Sequence, residues 1–421
     1  MPKIILTNPG PHHIIGKPLN KLNIKAGGVY RLKEGELEKR FNIKDWNVII
    51  GKQIAKRTEY EVECWLYDKH LKKEKTLTDG QIKYRIFPCS FFFHRRSFSA
   101  QFLNALKKEV EAALEAKKKT GQNELIIHLN DYHTYQAYLI LRHFGGKVPI
   151  VAQYHGVGPP FDTLINRPYL FPTAPLLWVE SSVEKRLLKK VDAFLTTAYE
   201  REYLKRIVPE RKINVLPTPA DYELCVPADK KAAKKKLAKL GIKPNSKVMI
   251  YIGFFFKLKR ADLVVKAMRE LRCEMPDSDV QAIMIGGNPK DDLYKFVKNS
   301  GAIAIDRVAH EELVDYYNAS DVFVYFASES MKKHAGMGVA PAEALACNVP
   351  LVSTNIQNMP ISDIKKVGFV PKNEKDFVRK IKYVFEHPEK FRECRKIGEK
   401  YFSYDAVYGN YVRIYRELIK K

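Results

Sequence analysis

Residues 248–262 read Val248-Met249-Ile250-Tyr251-Ile252-Gly253-Phe254-Phe255-Phe256-Lys257-Leu258-Lys259-Arg260-Ala261-Asp262. The unbroken apolar run Val248–Ile252 predicts a strand buried on both faces. Glycine ends it, a short loop carries two lysines, and a helix is expected from Asp262 to Arg272. A strand that hands over to a helix in this way is the repeating unit of an α/β domain with a parallel sheet. A lysine between strand end and helix start lies beside backbone N–H groups that lack intrahelical partners, a setting suited to a diphosphate. An ordinary basic loop would carry the same residues, so this stretch alone leaves the ligand open.

The pattern continues on both sides. Downstream, strands are expected at Ala282–Ile285, Val322–Tyr325 and Pro350–Ser353, with helices at Glu311–Asn318 and near Pro341–Cys347. Upstream, strands are expected near Ile4–Thr7, Tyr60–Tyr67, Ile82–Phe87, Leu125–Leu129, Pro149–Tyr154, Ala193–Thr196 and Asn214–Leu216. Ser99–Lys119 has apolar residues at helical spacing. Pro217-Thr218-Pro219 and Val226-Pro227 mark the break between two α/β domains, because proline continues neither element. The expected division is 1–220 and 221–401. A final amphipathic helix within 402–421 presents Val407, Tyr411, Ile414, Tyr415 and Leu418 on one face.

Bulk composition narrows the field. A chain of 421 residues exceeds one ordinary core, and 45% hydrophobic with 29% charged residues is globular composition. No apolar run reaches the ~20 residues that span a bilayer. The start, Met1-Pro2-Lys3-Ile4-Ile5-Leu6-Thr7, reads as a first strand and not as a signal peptide, so a cytoplasmic location is expected. Six scattered cysteines, without CxxC pairs, predict buried thiols and neither disulfides nor a zinc site. The net charge of +25 is spread over both halves and attracts phosphates of any kind. Helix-turn-helix, zinc-finger and RNA-recognition motifs are absent, so no nucleic acid is expected as a partner.

Three further segments bear on chemistry. Ile283-Met284-Ile285-Gly286-Gly287 ends a strand in paired glycines, which permit close approach of a ligand or of another backbone. Asp306-Arg307-Val308 precedes His310-Glu311-Glu312-Leu313-Val314-Asp315-Tyr316-Tyr317; the helix reads as scaffold and its loop as a place for a base. Ala335-Gly336-Met337-Gly338-Val339-Ala340-Pro341-Ala342-Glu343 leads from a glycine loop into a short helix, followed by Ala344-Leu345-Ala346-Cys347-Asn348-Val349-Pro350. A lone acid in so apolar a run suits an acceptor of ribose hydroxyl groups, and dipole-stabilised surface decoration is the other reading.

Taken in order, these segments resemble the retaining glycosyltransferases of glycosyltransferase family 4, which have the GT-B fold. That fold implies two Rossmann-like domains facing each other across a cleft, with the C-terminal helix crossing back to the N-terminal domain. The resemblance implies a donor site at Gly253, Lys259, Gly286, Arg307, Val308, Gly336, Met337, Gly338, Val339 and Glu343. Lys259 would hold the diphosphate, assisted by Lys257 or Arg260, and Glu343 the ribose. Three positions in these motifs depart from the family pattern: Phe254 stands where it has arginine, Arg260 where it has the glycine after the lysine, and Ala335 where it has the first glutamate of Glu-x7-Glu. Glu329 or His334 are the conjectural substitutes for that glutamate. In the N-terminal half, Val151-Ala152-Gln153-Tyr154-His155-Gly156 resembles the strand whose histidine faces the reacting sugar, and His128 lies in the family's strand-His segment. Gly10 and His12 correspond to its acceptor-side loop. His155, Lys259 and Glu343 are thus the catalytic candidates, and Gly10, His12 and His128 the acceptor-side ones.

The implied activity is transfer of a sugar, with retention, from a UDP- or GDP-linked donor to a carbohydrate or lipid-linked acceptor. Neither metal nor cofactor is implied, and no Asp-x-Asp motif at a strand end supplies a metal site. A catalytically silent scaffold is the alternative that Phe254 and Ala335 raise. Phe91–Phe98 and Leu176–Lys190 mix apolar residues with cations, and either suits peripheral contact with the anionic inner face of a membrane or plain core packing with a solvated edge.

Overall fold

The computed structural model describes residues 1–7, 29–32, 46–68, 70–91, 97–156, 158–160, 168–328 and 337–421. They form two compact units: Met1–Val215 with Tyr408–Lys421, and Leu216–Val407. The fold class is α/β, as expected.

The first unit carries a nine-stranded sheet in the order β2-β4-β5-β3-β1-β6-β7-β8-β9. Its strands are β1 (Lys3–Thr7), β2 (Val29–Leu32), β3 (Glu61–Asp68), β4 (Lys75–Asp79), β5 (Ile82–Pro88), β6 (Leu125–Asn130), β7 (Ile150–Gln153), β8 (Ala193–Thr196) and β9 (Ile213–Val215). Apolar strands such as β6 are buried throughout. The sheet is not wholly parallel, because β4 runs antiparallel to β5 across a two-residue turn, with Asp79 opposite Ile82. Gly80 supplies the positive φ that such a turn requires. Two helices behind this sheet matter below: α1 (Ala100–Thr120), capped by Ser99, and α2 (Tyr135–Phe144), capped by Thr134. Next come α3 (Ala174–Leu188) and α4 (Ala198–Leu204).

The second unit has six strands, each parallel to its neighbours, in the order β12-β11-β10-β13-β14-β15. They are β10 (Lys247–Ile252), β11 (Val280–Ile285), β12 (Ile303–Ile305), β13 (Val322–Tyr325), β14 (Leu351–Ser353) and β15 (Gly368–Phe369). This is the doubly wound order, in which the chain reverses direction across the sheet between β10 and β13. A ligand crevice is expected outside the carboxyl ends of that strand pair. Three helices flank the edge: α5 (Ala261–Glu274), α6 (Leu313–Asn318) and α7 (Val339–Ala346).

The last helix, α8 (Tyr404–Ile419), begins in the second unit and ends in the first. Val407, Tyr411, Ile414, Tyr415 and Leu418 are all buried, as the amphipathic pattern predicts. Asn123 anchors its end by donating to the Leu418 carbonyl at 2.8 Å. No helix among the described residues is long and apolar enough to cross a membrane. The expectation of buried thiols holds for Cys64, Cys225, Cys347 and Cys394, but Cys89 is only half-buried and Cys273 is exposed, because it lies near the outer end of α5.

Candidate active site

Two side chains bracket the reversal point of the second sheet: Lys259 follows β10, and Glu343 lies on α7, which follows β13. The β10 loop is built around its middle aromatic. Phe255 is buried against Tyr294, and a Cβ on Gly287 would come within 2.4 Å of its ring. Phe254 and Phe256 point outward and stack on each other, with centroids 5.5 Å apart. Tyr251 Oη donates to the Phe254 carbonyl at 3.1 Å, pinning the turn.

Lys259 ends a 3-10 turn and is half-buried. Its ammonium lies 5.7 Å from the centre of the Phe254 ring, and no carboxylate among the described residues is within ion-pair reach of it. Burial, with no compensating charge, holds this lysine below the ordinary lysine range. Arg260 behaves differently. Its guanidinium is committed to Asp262 at 3.1 Å and to Glu374 at 3.2 Å, so it is not available to assist a ligand as expected. Lys257 is exposed.

The glycines act as thin walls. The Gly253 N–H donates to the Ile285 carbonyl and the Gly286 N–H to the Ile305 carbonyl, at 2.9 and 3.0 Å. Both amides are therefore spent on the sheet. A Cβ on Gly286 would lie 2.7 Å from the Gly253 carbonyl oxygen, so glycine is needed to let two strand ends meet.

Glu343 is buried on the first half of α7, and both of its oxygens are occupied. Oε1 pairs with His310 Nε2 at 2.5 Å, and Oε2 accepts from Tyr317 Oη at 2.7 Å. The carboxylate thereby ties α6 and the turn before it to α7. Sequence reading placed His310 and Tyr317 in scaffold and missed this contact. The one available signal was two polar side chains, seven residues apart, ahead of an otherwise apolar segment. Arg307 is exposed in the loop after β12, three residues before His310, and Val308 packs against the core. Gly338 precedes α7 with φ +30° and no side-chain cap, leaving the helix start to its backbone amides; Val339 opens the helix, and Met337 is buried. Gly336, Ala335, Glu329 and His334 lie outside the described residues.

In the first unit, His155 follows β7 and is half-buried. Its backbone N–H donates to Asp131 Oδ1 at 2.8 Å, and its ring Nε2 bonds Asn130 Oδ1 at 2.7 Å. Asp131 sits at φ +62°, a left-handed turn that aims its carboxylate back toward β7. His128 is turned into the core and has no solvent contact, which corrects its acceptor-side reading. Its ring contacts Tyr415 Oη through Nδ1 and Gln153 Oε1 through Nε2. Burial pushes its pKa down to about 3, so it is neutral and braces α8 against β6. Gly10 and His12 lie outside the described residues.

Beside these groups lies a buried charge cluster that sequence reading missed. His133 Nδ1 bonds Glu184 of α3 and its Nε2 bonds Glu200 of α4, each at 2.9 Å, and all three are fully buried. Tyr132 donates to Glu200 at 2.7 Å, Tyr203 to Glu184 at 2.7 Å, and Tyr138 also donates to Glu184. Burial alone would neutralise the imidazolium, but the two carboxylates outweigh it and hold the pKa up to about 10. Among the described residues no cluster of metal-ligating side chains occurs.

Residues 55–224 match the family model described as Glycosyltransferase Family 4, and residues 232–401 the one described as Glycosyl transferases group 1. A D-inositol 3-phosphate glycosyltransferase of Rhodococcus jostii is 30% identical over 162 residues, 36% of this chain and 34% of that relative. One from Kineococcus radiotolerans is 29% identical over 157 residues, 34% of each protein. The chain thus aligns with about a third of the length of these curated relatives. Among solved structures, sucrose-phosphate synthase from Thermosynechococcus elongatus superposes with TM-score 0.62 at 18% identity, covering 99% of both chains. Anabaena Alr3699/HepE, solved in complex with UDP, superposes with TM-score 0.59 at 13% identity, covering 99% of this chain and 100% of that one. At these identities the likeness is one of fold.

Proposed function

This chain belongs to glycosyltransferase family 4, the two matching models spanning four fifths of it, and we propose that it transfers a sugar from a nucleotide diphosphate donor, UDP- or GDP-linked, to a hydroxyl of a glycan or lipid-linked acceptor with retention of configuration. The observation that carries this reading is Lys259. A half-buried cation with no carboxylate partner among the described residues, at the reversal point of a doubly wound sheet, gains most from an anionic ligand.

The diphosphate is assigned to Lys259 and to the uncapped start of α7, where amides and helix dipole favour negative charge. As the bond from the anomeric carbon to the departing phosphate breaks, charge grows on that phosphate. Lys259 stabilises it more in the transition state than in the ground state. The acceptor hydroxyl attacks from the same face and passes its proton to the departing phosphate, so no covalent enzyme intermediate is needed. His155, held by Asn130 and Asp131, is assigned to the reacting sugar. Glu343 is assigned to the ribose, with His310 holding its carboxylate in place.

Titration calorimetry with UDP and GDP tests the site. A charge pair at ~4 Å is worth about 4 kcal/mol at an effective dielectric near 20. Solvent screens this partly exposed lysine, so Lys259→Ala should cost about 2 kcal/mol, roughly a 30-fold rise in Kd. Equal affinity in wild type and Lys259→Ala would remove the assignment.

A further inference from the structure

The outward face of α3 carries apolar residues that the fold leaves uncovered. Leu177, Ser181, Glu184 and Leu188 turn inward, and Glu184 locks the helix down through His133. The opposite face is organised along its length. One row runs Leu176, Val179, Val183, Arg186 and Lys190, and a second runs Trp178, Ser182, Lys185 and Lys189; all nine are exposed. Each row begins apolar and ends cationic.

The concentration is local. Phe171, Leu176, Trp178, Val179 and Val183 are five of the fifteen large apolar side chains left exposed among the described residues, and they fall within thirteen positions. Phe171 is 73% and Trp178 64% exposed. Exposed apolar groups that cluster in this way mark a contact surface. Plain core packing, the other reading of this segment, accounts for Leu177, Leu187 and Leu188 but not for these.

We propose that the outward face of α3 docks on an anionic lipid bilayer. Apolar side chains would enter the boundary between headgroups and acyl chains, while Lys185, Arg186, Lys189 and Lys190 meet lipid phosphates. Two observations favour a bilayer over a protein. The exposed side chains from Phe171 to Lys190 include four cations and no carboxylate, a one-signed charge that complements a surface of lipid phosphates. Tryptophan beside lysine and arginine is also the composition of the headgroup region. This inference does not depend on the assignment of the donor site.

Flotation of the full chain with phosphatidylcholine vesicles, with and without phosphatidylglycerol, is the test. Wild type should float only with the anionic vesicles and should release in high salt. Lys185→Gln/Arg186→Gln/Lys189→Gln should weaken partitioning on the order of 100-fold, from about 5-fold per cation. Leu176→Ser/Trp178→Ser/Val179→Ser should abolish it. Lys231→Gln/Lys235→Gln/Lys239→Gln removes equal charge from the second unit and should leave partitioning unchanged. All of these side chains are exposed, and an unaltered melting temperature checks that each variant folds. The proposal is overturned if wild type ignores anionic vesicles, or if the two sets of lysine and arginine changes act alike. It is equally overturned if the apolar variant floats normally, or if it instead loses self-association seen in the wild type, which would assign the face to a second copy of the chain.

Discussion

Deleting the imidazole of His133 should strike the first unit hard and in a pH-dependent way. His133→Ala leaves Glu184 and Glu200 buried, with their shared cation gone. The imidazole pKa stands at about 10 against an ordinary 6.5, and at 1.36 kcal/mol per unit that difference amounts to about 5 kcal/mol. Removing one partner of a buried ion pair typically costs about 3–5 kcal/mol, so we expect a loss in that range. Total domain stability is about 5–15 kcal/mol, and for a unit of this size the change means a fall in melting temperature of about 10 °C. Because the folded-state pKa is raised, the wild-type contribution is complete below about pH 6.5 and is lost as pH climbs toward about 10. Glu184 acts in the opposite direction. Burial would raise its pKa, but His133 and the tyrosines hold it low, so its share is lost as pH falls below the ordinary carboxylate range. Calorimetric melts of both proteins from about pH 6 to about pH 9.5 provide the measurement. A variant within about 1 kcal/mol of wild type, or one that keeps the wild-type decline above neutral pH, would refute the reasoning.

Other outcomes follow from the second sheet and from His155. Gly286→Ala puts a methyl 2.7 Å from the Gly253 carbonyl at φ +109°, and should cost about 2–4 kcal/mol in urea unfolding. Glu343→Ala leaves the buried Tyr317 hydroxyl without its acceptor, a loss of about 1–3 kcal/mol. If its carboxylate also meets ribose, affinity for UDP falls while affinity for pyrophosphate stays constant, which calorimetry separates. His155→Ala should lower kcat on the order of 100-fold with the donor KM unchanged, read from initial rates once a turning-over donor is known.

Much of the α/β scaffold was legible because its signals are local. The run Val248–Ile252 is apolar at every position because β10 is covered on both faces, and β1, β6, β8 and β13 are readable for the same reason. β12 escaped because its three residues are only half-buried. β4 escaped because Lys75-Thr76-Leu77-Thr78-Asp79 has a single strong apolar residue, although Asp79-Gly80 after it was a hairpin signal. Leu176–Lys190 shows the limit of composition. The same leucines read as core or as surface until the inward stripe of α3 was located.

The sequence by itself determined the fold class, most of the strands and helices in their order, and the resemblance of the C-terminal half to a sugar-transfer site, since periodicity and short motifs are written in neighbouring residues. Which charges are free and which are spent was decided by the tertiary structure. Arg260 is satisfied by Glu374, more than a hundred positions away, while Lys259 beside it meets no acid among the described residues, and Glu343 is held by a histidine thirty-three positions earlier. The physical reason is that Coulomb and hydrogen-bond energies depend on separation in space, and folding assigns that separation with little regard to distance along the chain.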